Sequence, residues 1–166
     1  LDEGDSLVGV ATCREGDDVL LATRAGKAIR FQAEPDTLRV FAGRDSTGVR
    51  GIRLAEGDSV IALSVLRHVN ATPDERAAYL KAAAARRRAA SDDADTAEAP
   101  AEEGEEAVAD IALSPERFDE LAEAEELILA VTDGGFGKRT SAHEFRVTGR
   151  GGQGINGITL SKRTGR

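Results

Sequence analysis

A twelve-residue stretch occurs twice in this chain, and this repetition constrains the fold more than any other feature. Gly43–Leu54 reads GRDSTGVRGIRL and Gly149–Leu160 reads GRGGQGINGITL. Glycine recurs at three offsets, Gly43/Gly149, Gly48/Gly154 and Gly51/Gly157, and Arg44/Arg150, Ile52/Ile158 and Leu54/Leu160 agree as well. Glycine kept at fixed offsets marks a turn that needs positive φ or close backbone approach. The apolar residues after it are expected to start the same strand in each copy. A second echo pairs LDEGDSLVGV at residues 1–10 with LAEGDSVIAL at 54–63, an offset of 53. Glu-Gly-Asp between apolar runs predicts a tight hairpin turn. Residues 1–10 then form the tail of a repeat whose front lies upstream. The chain also lacks Met, so it reads as a piece of a longer protein.

Within the first copy, Val19–Thr23 predicts a short strand, Arg24–Lys27 a turn and Ala28–Phe31 the partner strand. The second copy presents Leu127–Thr132, a Gly-rich turn at 133–137 and Lys138–Thr140, so that Thr23 matches Thr132, Gly26 matches Gly135 and Arg30 matches Arg139. Short strands at regular spacing with Gly turns predict an all-β architecture. A repeat of about 50 residues carrying about four strands fits a propeller-like blade.

Leu54 and Leu160 lie 106 residues apart, twice the first spacing, so an insertion separates the copies. The expected organisation is the tail of one blade plus one complete blade over 1–66, the insertion over 67–126, and a next, truncated blade over 127–166. Thr72-Pro73-Asp74-Glu75 supplies a cap, a proline at the first helical position and a capping-box glutamate, predicting a helix over about residues 73–90. Residues 91–107 are rich in Asp, Glu and Ala and offer too little apolar surface to offset ordering entropy, so disorder is expected. Ser114-Pro115-Glu116 starts a second helix over about 115–123.

The net charge of −8 is unevenly spread: −3 over residues 1–66, −10 over 67–127 and +5 over 128–166. The acidity thus belongs mainly to the insertion, and the global balance says little about what the repeats bind. No run of about 18 apolar residues exists, so no membrane span is expected. The lone Cys13 excludes an internal disulfide and reads as a buried free thiol.

No catalytic constellation emerges. His68 and His143 lie in different copies, out of metal-ligand spacing with Cys13, and read as structural or surface residues; no metal site is expected. Tyr79, the single tyrosine, falls in the helical insertion, where packing explains it. Gly151–Gly154 lacks the Gly-Lys-Ser/Thr of a phosphate-binding P-loop and the strand-turn-helix setting of a dinucleotide site. Basic residues, in contrast, recur at or beside the Gly-rich turns: Arg24, Lys27, Arg30, Arg44, Arg50 and Arg53 in the first copy, and Lys138, Arg139, Arg146, Arg150, Lys162 and Arg163 in the second. Such turns admit phosphates to backbone N–H groups while Arg or Lys neutralises the charge. These twelve are the candidate DNA-binding residues. A solvated mixed-charge surface on a protein-binding β-repeat module is the competing reading.

The runs LLATRAGKAIRF, VFAGRDSTGVRGIRLAEGD and GGFGKRTSAHEFRVTGRGGQGI together resemble the C-terminal domain of the DNA gyrase A protein. The similarity covers residues 1–66 and 127–166. It implies a β-pinwheel: propeller-like blades of about four antiparallel strands, about six in the family's domain, with strands exchanged between neighbours. The implied function is DNA binding and wrapping within a type IIA topoisomerase, in support of ATP-dependent negative supercoiling. The implied partners are double-stranded DNA, the rest of a homodimeric gyrase A protein and the gyrase B protein in an A2B2 complex in the cytoplasm. ATP and Mg2+ would serve the whole enzyme, and no cofactor or catalytic residue is implied here. The equivalent domain of topoisomerase IV is the alternative within the class. The family's basic box, Gln-Arg-Arg-Gly-Gly-Lys/Arg-Gly, is incomplete: Thr148–Gly154 keeps Arg150, Gly151, Gly152 and Gly154, but Gln153 stands where the box is basic.

Overall fold

The computed structural model describes residues 4, 6–41, 43, 46–90 and 111–165. The acidic run expected to be disordered, 91–107, lies outside the described residues, as does Arg44. The chain divides into a β unit, residues 1–68 with 126–166, and a helical unit, residues 69–125.

The β unit is built on one hairpin. β1 (Asp18–Thr23) and β2 (Lys27–Gln32) pair antiparallel, closed by a turn in which Gly26 takes φ +79 and its amide donates to the Thr23 carbonyl at 3.0 Å. β4 (Leu127–Val131) and β5 (Gly137–Ser141) repeat the design, with Gly135 at φ +80 and its amide donating to the Thr132 carbonyl at 3.0 Å. The matched threonines do the same work in both turns. Thr23 Oγ1 accepts from the Lys27 amide and Thr132 Oγ1 from the Phe136 amide, each at 3.3 Å. β3 (Val60–Leu66) adds to the free edge of β1. The fourth strand comes from the other copy: β6 (Ile155–Asn156) pairs antiparallel with β2, giving the order β3-β1-β2-β6. A blade completed by its neighbour's strand is the expected exchanged pinwheel. The second sheet holds only β4 and β5 among the described residues.

Strand periodicity places side chains alternately on two faces, and both faces of the β1–β2 hairpin are covered. Val19, Ile29 and Phe31 pack with Ile52, Leu38 and Val60 of their own copy. On the opposite face, Leu20 and Ala28 pack with Ile128, Ala142, Phe145 and Ile155, all from the second copy. Consecutive repeats therefore stack face to face, as propeller blades do.

Two details depart from the sequence expectation. The residues after the shared glycines start no strand; the ladder lies before Gly157, at Ile155–Asn156. The amides of Gly157 and Ile158 both converge on the Gly26 carbonyl, at 2.8 and 3.3 Å, and this ends the ladder. Cys13 is exposed rather than buried, because the segment from Ser6 to Arg14 precedes β1 without packing against it.

In the helical unit, α1 (Pro73–Ala90) opens with a reciprocal capping box: the Thr72 amide donates to Glu75 Oε2 at 2.8 Å and the Glu75 amide to Thr72 Oγ1 at 3.1 Å. α2 (Pro115–Glu123) is capped by Ser114, whose Oγ accepts from the Arg117 amide at 3.2 Å. Tyr79 and Phe118 meet at 5.0 Å between ring centroids, with Ala83 and Leu121 completing a small core. Tyr79, the only tyrosine, is buried in this core, and the burial pushes its hydroxyl up to about 12.

Candidate nucleic-acid interface

The Gly-rich stretch of the second copy lies along the first copy, backbone to backbone. The Gly151 amide donates to the Gly51 carbonyl at 2.6 Å, and the Arg53 amide donates to the Gly152 carbonyl at 2.8 Å. Glycine is required for this approach at Gly154, where φ is +71 and a Cβ would stand 2.5 Å from the Ala28 carbonyl oxygen. Its counterpart Gly48 takes the same φ of +71. Gly51 and Gly157 keep negative φ, and a Cβ there would press on Leu21 or on Ala28 and Phe145. Gly43 and Gly149 have open space around them, so the first of the three shared offsets carries no such demand.

This pairing gathers three of the twelve candidates, Arg50, Arg53 and Arg150, around one seam. Arg50 and Arg53 are exposed. Arg150 is half-buried; its Nε donates to the Thr37 carbonyl at 2.6 Å and its Nη1 to the Arg50 carbonyl at 3.3 Å. The arginine kept from the family's box thus ties backbone segments together, and the freer cations beside it come from the first copy. A second pairing forms where the hairpin turn of the first copy meets the end of the chain: Arg24 and Lys162, both exposed, line one cleft with Glu56 and Asp58. The two acids offset the positive charge of that cleft. Arg139, Arg146 and Arg163 are exposed, and the Arg163 guanidinium lies 5.6 Å from the Phe136 ring centroid. Lys27 and Lys138 are half-buried, the latter 3.8 Å from Glu144.

Arg30 stands apart from the other candidates. It is 4 % exposed, and its guanidinium is committed on three sides. Nε and Nη2 meet Asp18 Oδ2 at 2.8 and 2.7 Å, Nη1 donates to the Ala142 carbonyl at 2.7 Å, and Nη2 also donates to the Arg67 carbonyl at 3.2 Å. His68 Nδ1 lies 3.0 Å from Asp18 Oδ1. Arg30 offers no surface to a ligand; it joins blades. Sequence reasoning missed Asp18 altogether. Its available signal was an acid directly preceding the apolar β1 run Val19–Ala22, with a basic residue in the opposing strand.

A family model described as the DNA gyrase C-terminal domain, beta-propeller, matches residues 17–67 and 126–166, more than half of the chain. The chain belongs to this gyrase family. Both matched segments lie within the β unit, and the helical insertion falls between them in sequence. The DNA gyrase A protein of Granulibacter bethesdensis is 64% identical over 169 residues, covering 100% of this chain and 18% of that protein. That of Rickettsia bellii is 45% identical over 165 residues, covering 99% and 17%. That of Mycolicibacterium smegmatis is 32% identical over 165 residues, covering 99% and 13%. The chain thus spans less than a fifth of these gyrase A proteins. Among the described residues of this gyrase-family chain, no helix is long and apolar enough to cross a membrane.

Proposed function

We propose that this gyrase-family domain binds and wraps double-stranded DNA as part of the A protein of a type IIA topoisomerase, supporting ATP-dependent negative supercoiling by the whole cytoplasmic enzyme. The observation that carries the reading is the seam of Arg50, Arg53 and Arg150, held by backbone pairing between consecutive repeats. A rigid, stitched ridge positions charge at low entropic cost, and phosphate neutralisation by such charge is sequence-tolerant. Bending a duplex costs of order 1–6 kcal/mol over a 20–30 bp site. No single seam supplies that, so the wrapped path must continue over several blades. On this reading the partners are DNA, a second gyrase A protein and the gyrase B protein, with two of each protein in the complex. ATP and Mg2+ act elsewhere in the assembly.

The test is the Arg50→Glu/Arg53→Glu double variant in the intact gyrase A protein, reconstituted with gyrase B. Wrapping and supercoiling are expected to fall at least tenfold, with relaxation much less affected. Normal supercoiling would remove the seam from the DNA path. Wild-type DNA affinity with a lost protein partner would support the protein-binding alternative instead.

A further inference from the structure

The cations of the second copy differ in what holds them. Arg150 is held by donating to the Thr37 and Arg50 carbonyls. Lys138 lies 3.8 Å from Glu144, and Lys162 shares its cleft with Glu56 and Asp58. Arg139 and Arg146 are exposed, with no hydrogen bond, ion pair or ring contact among the described residues, so binding must order them at an entropic cost. Arg163 is different. Its guanidinium lies 5.6 Å from the Phe136 ring centroid, and among the described residues it makes no hydrogen bond or ion pair. Stacking on a ring uses the face of the guanidinium and leaves its in-plane N–H donors available.

Two interlocked turns set this pair. The Phe136 backbone closes onto Thr132: its amide donates to Thr132 Oγ1 at 3.3 Å and its carbonyl accepts from the Thr132 amide at 2.8 Å. Arg163 lies in a turn from Ser161 to Gly165. There the Ser161 amide donates to Thr164 Oγ1 at 2.8 Å, the Thr164 amide to Ser161 Oγ at 3.2 Å and the Gly165 amide to the Ser161 carbonyl at 3.0 Å. The turns meet where the Thr132 hydroxyl donates to the Thr164 carbonyl. A Cβ at Gly134 would stand 2.5 Å from that carbonyl oxygen, so only glycine admits the contact. The first copy has no such pair. At the offset of 106, Glu56 and Gly57 stand in place of Lys162 and Arg163, and Lys27 matches Phe136 at the hairpin offset of 109.

We propose that Phe136 is a positioning residue for DNA: its ring holds the Arg163 guanidinium, whose unused donors take a backbone phosphate of the wrapped duplex. Phe136 is 42 % exposed at its turn, so the pair faces solvent, where a duplex can reach it. The inference rests on the DNA-wrapping reading above and adds to it a residue that is neither basic nor glycine. It also makes the two copies unequal, because Glu56 repels phosphate at the place where the second copy carries a cation.

The test measures the duplex DNA affinity of the intact gyrase A protein across a salt series. Arg163→Ala is expected to lower affinity about threefold to tenfold and to flatten the slope of log affinity against log salt by about one unit. Phe136→Leu keeps an apolar side chain but loses the π face, and is expected to reproduce most of that loss; Phe136→Tyr should bind as the unsubstituted protein does. In the Arg163→Ala background Phe136→Leu should add nothing, because the ring acts through the arginine. Equal losses from Phe136→Leu with and without Arg163 overturn the positioning role. Unchanged affinity and slope in Arg163→Ala, with DNA still bound by the unsubstituted protein, overturn the proposal and leave the wrapping reading standing. Absence of salt-dependent binding by the unsubstituted protein overturns both. Full DNA affinity with weakened gyrase B binding in Arg163→Ala assigns the guanidinium to a protein carboxylate and overturns the proposal as well.

Discussion

At the scale of single residues, one arginine shows how a strong charge pattern misleads. Arg30 sits in a run of turn-adjacent cations, yet its register on β2 faces the next blade, and Asp18 lies beside it with 0 % exposure. Removing one member of a buried pair leaves an uncompensated charge. Arg30→Ala is expected to destabilise the β unit by about 3–5 kcal/mol, measured by urea unfolding, with an apolar Asp18→Leu/Arg30→Met pair costing much less. DNA affinity measured well below the new midpoint should change little if Arg30 is only a joint. The glycines separate in the same way. Gly154→Ala is expected to cost about 1–3 kcal/mol through its left-handed backbone and the Ala28 carbonyl behind it. Gly149→Ala, with nothing near its Cβ position, should stay within about 0.5 kcal/mol.

Among the elements, the two insertion helices are joined through their caps. Glu75 closes the α1 capping box and also accepts from Arg117 Nε of α2 at 2.9 Å, while Arg117 Nη2 donates to the Asn70 carbonyl at 2.7 Å. The Arg117 hydrogen bond, then the Thr72 amide, hold the Glu75 carboxyl below its ordinary value of 4.5. A carboxylate held low in the folded state contributes stability above its unfolded value and loses it as pH falls through the folded one. The helical unit should therefore keep full protection down to about pH 4.5 and weaken below that, seen as faster amide exchange on α1. Glu75→Gln should remove most of this pH dependence. Thr72→Ala is expected to cost about 1 kcal/mol, read by the same exchange.

Across the whole molecule, DNA affinity should follow counterion release. Binding by the intact gyrase A protein is expected to fall steeply between 50 and 200 mM salt, by about a thousandfold or more if six or more phosphates are contacted along the wrapped path. Arg50→Glu/Arg53→Glu should flatten the slope of log affinity against log salt by about one to two units, in a filter-binding series. A slope left unchanged would place the DNA path away from the seam. The separation of charge along the chain fits a basic last segment beside a strongly acidic insertion, with net values of +5 and −10.

What the sequence determined alone was local. Gly26 and Gly135 turn the chain, Thr23 and Thr132 close the hairpins, and Thr72 with Pro73 and Glu75 starts α1, because each depends on atoms within a few residues. The repeat and the family's fold were legible for the same reason, since one local design is written twice. Which cation faces solvent was not legible. Arg30 and Arg139 occupy the same place in their hairpins, yet one is 4 % exposed and the other is open. Burial there is set by a neighbouring repeat more than a hundred residues away, through Ala142 and the Phe145 ring. Arg150, a candidate DNA contact, also ties the carbonyls of Thr37 and Arg50, contacts that no local pattern announces. A guanidinium satisfies whichever acceptors the fold brings within about 3 Å, and only the tertiary structure decides whether those belong to the chain itself or are left for a ligand.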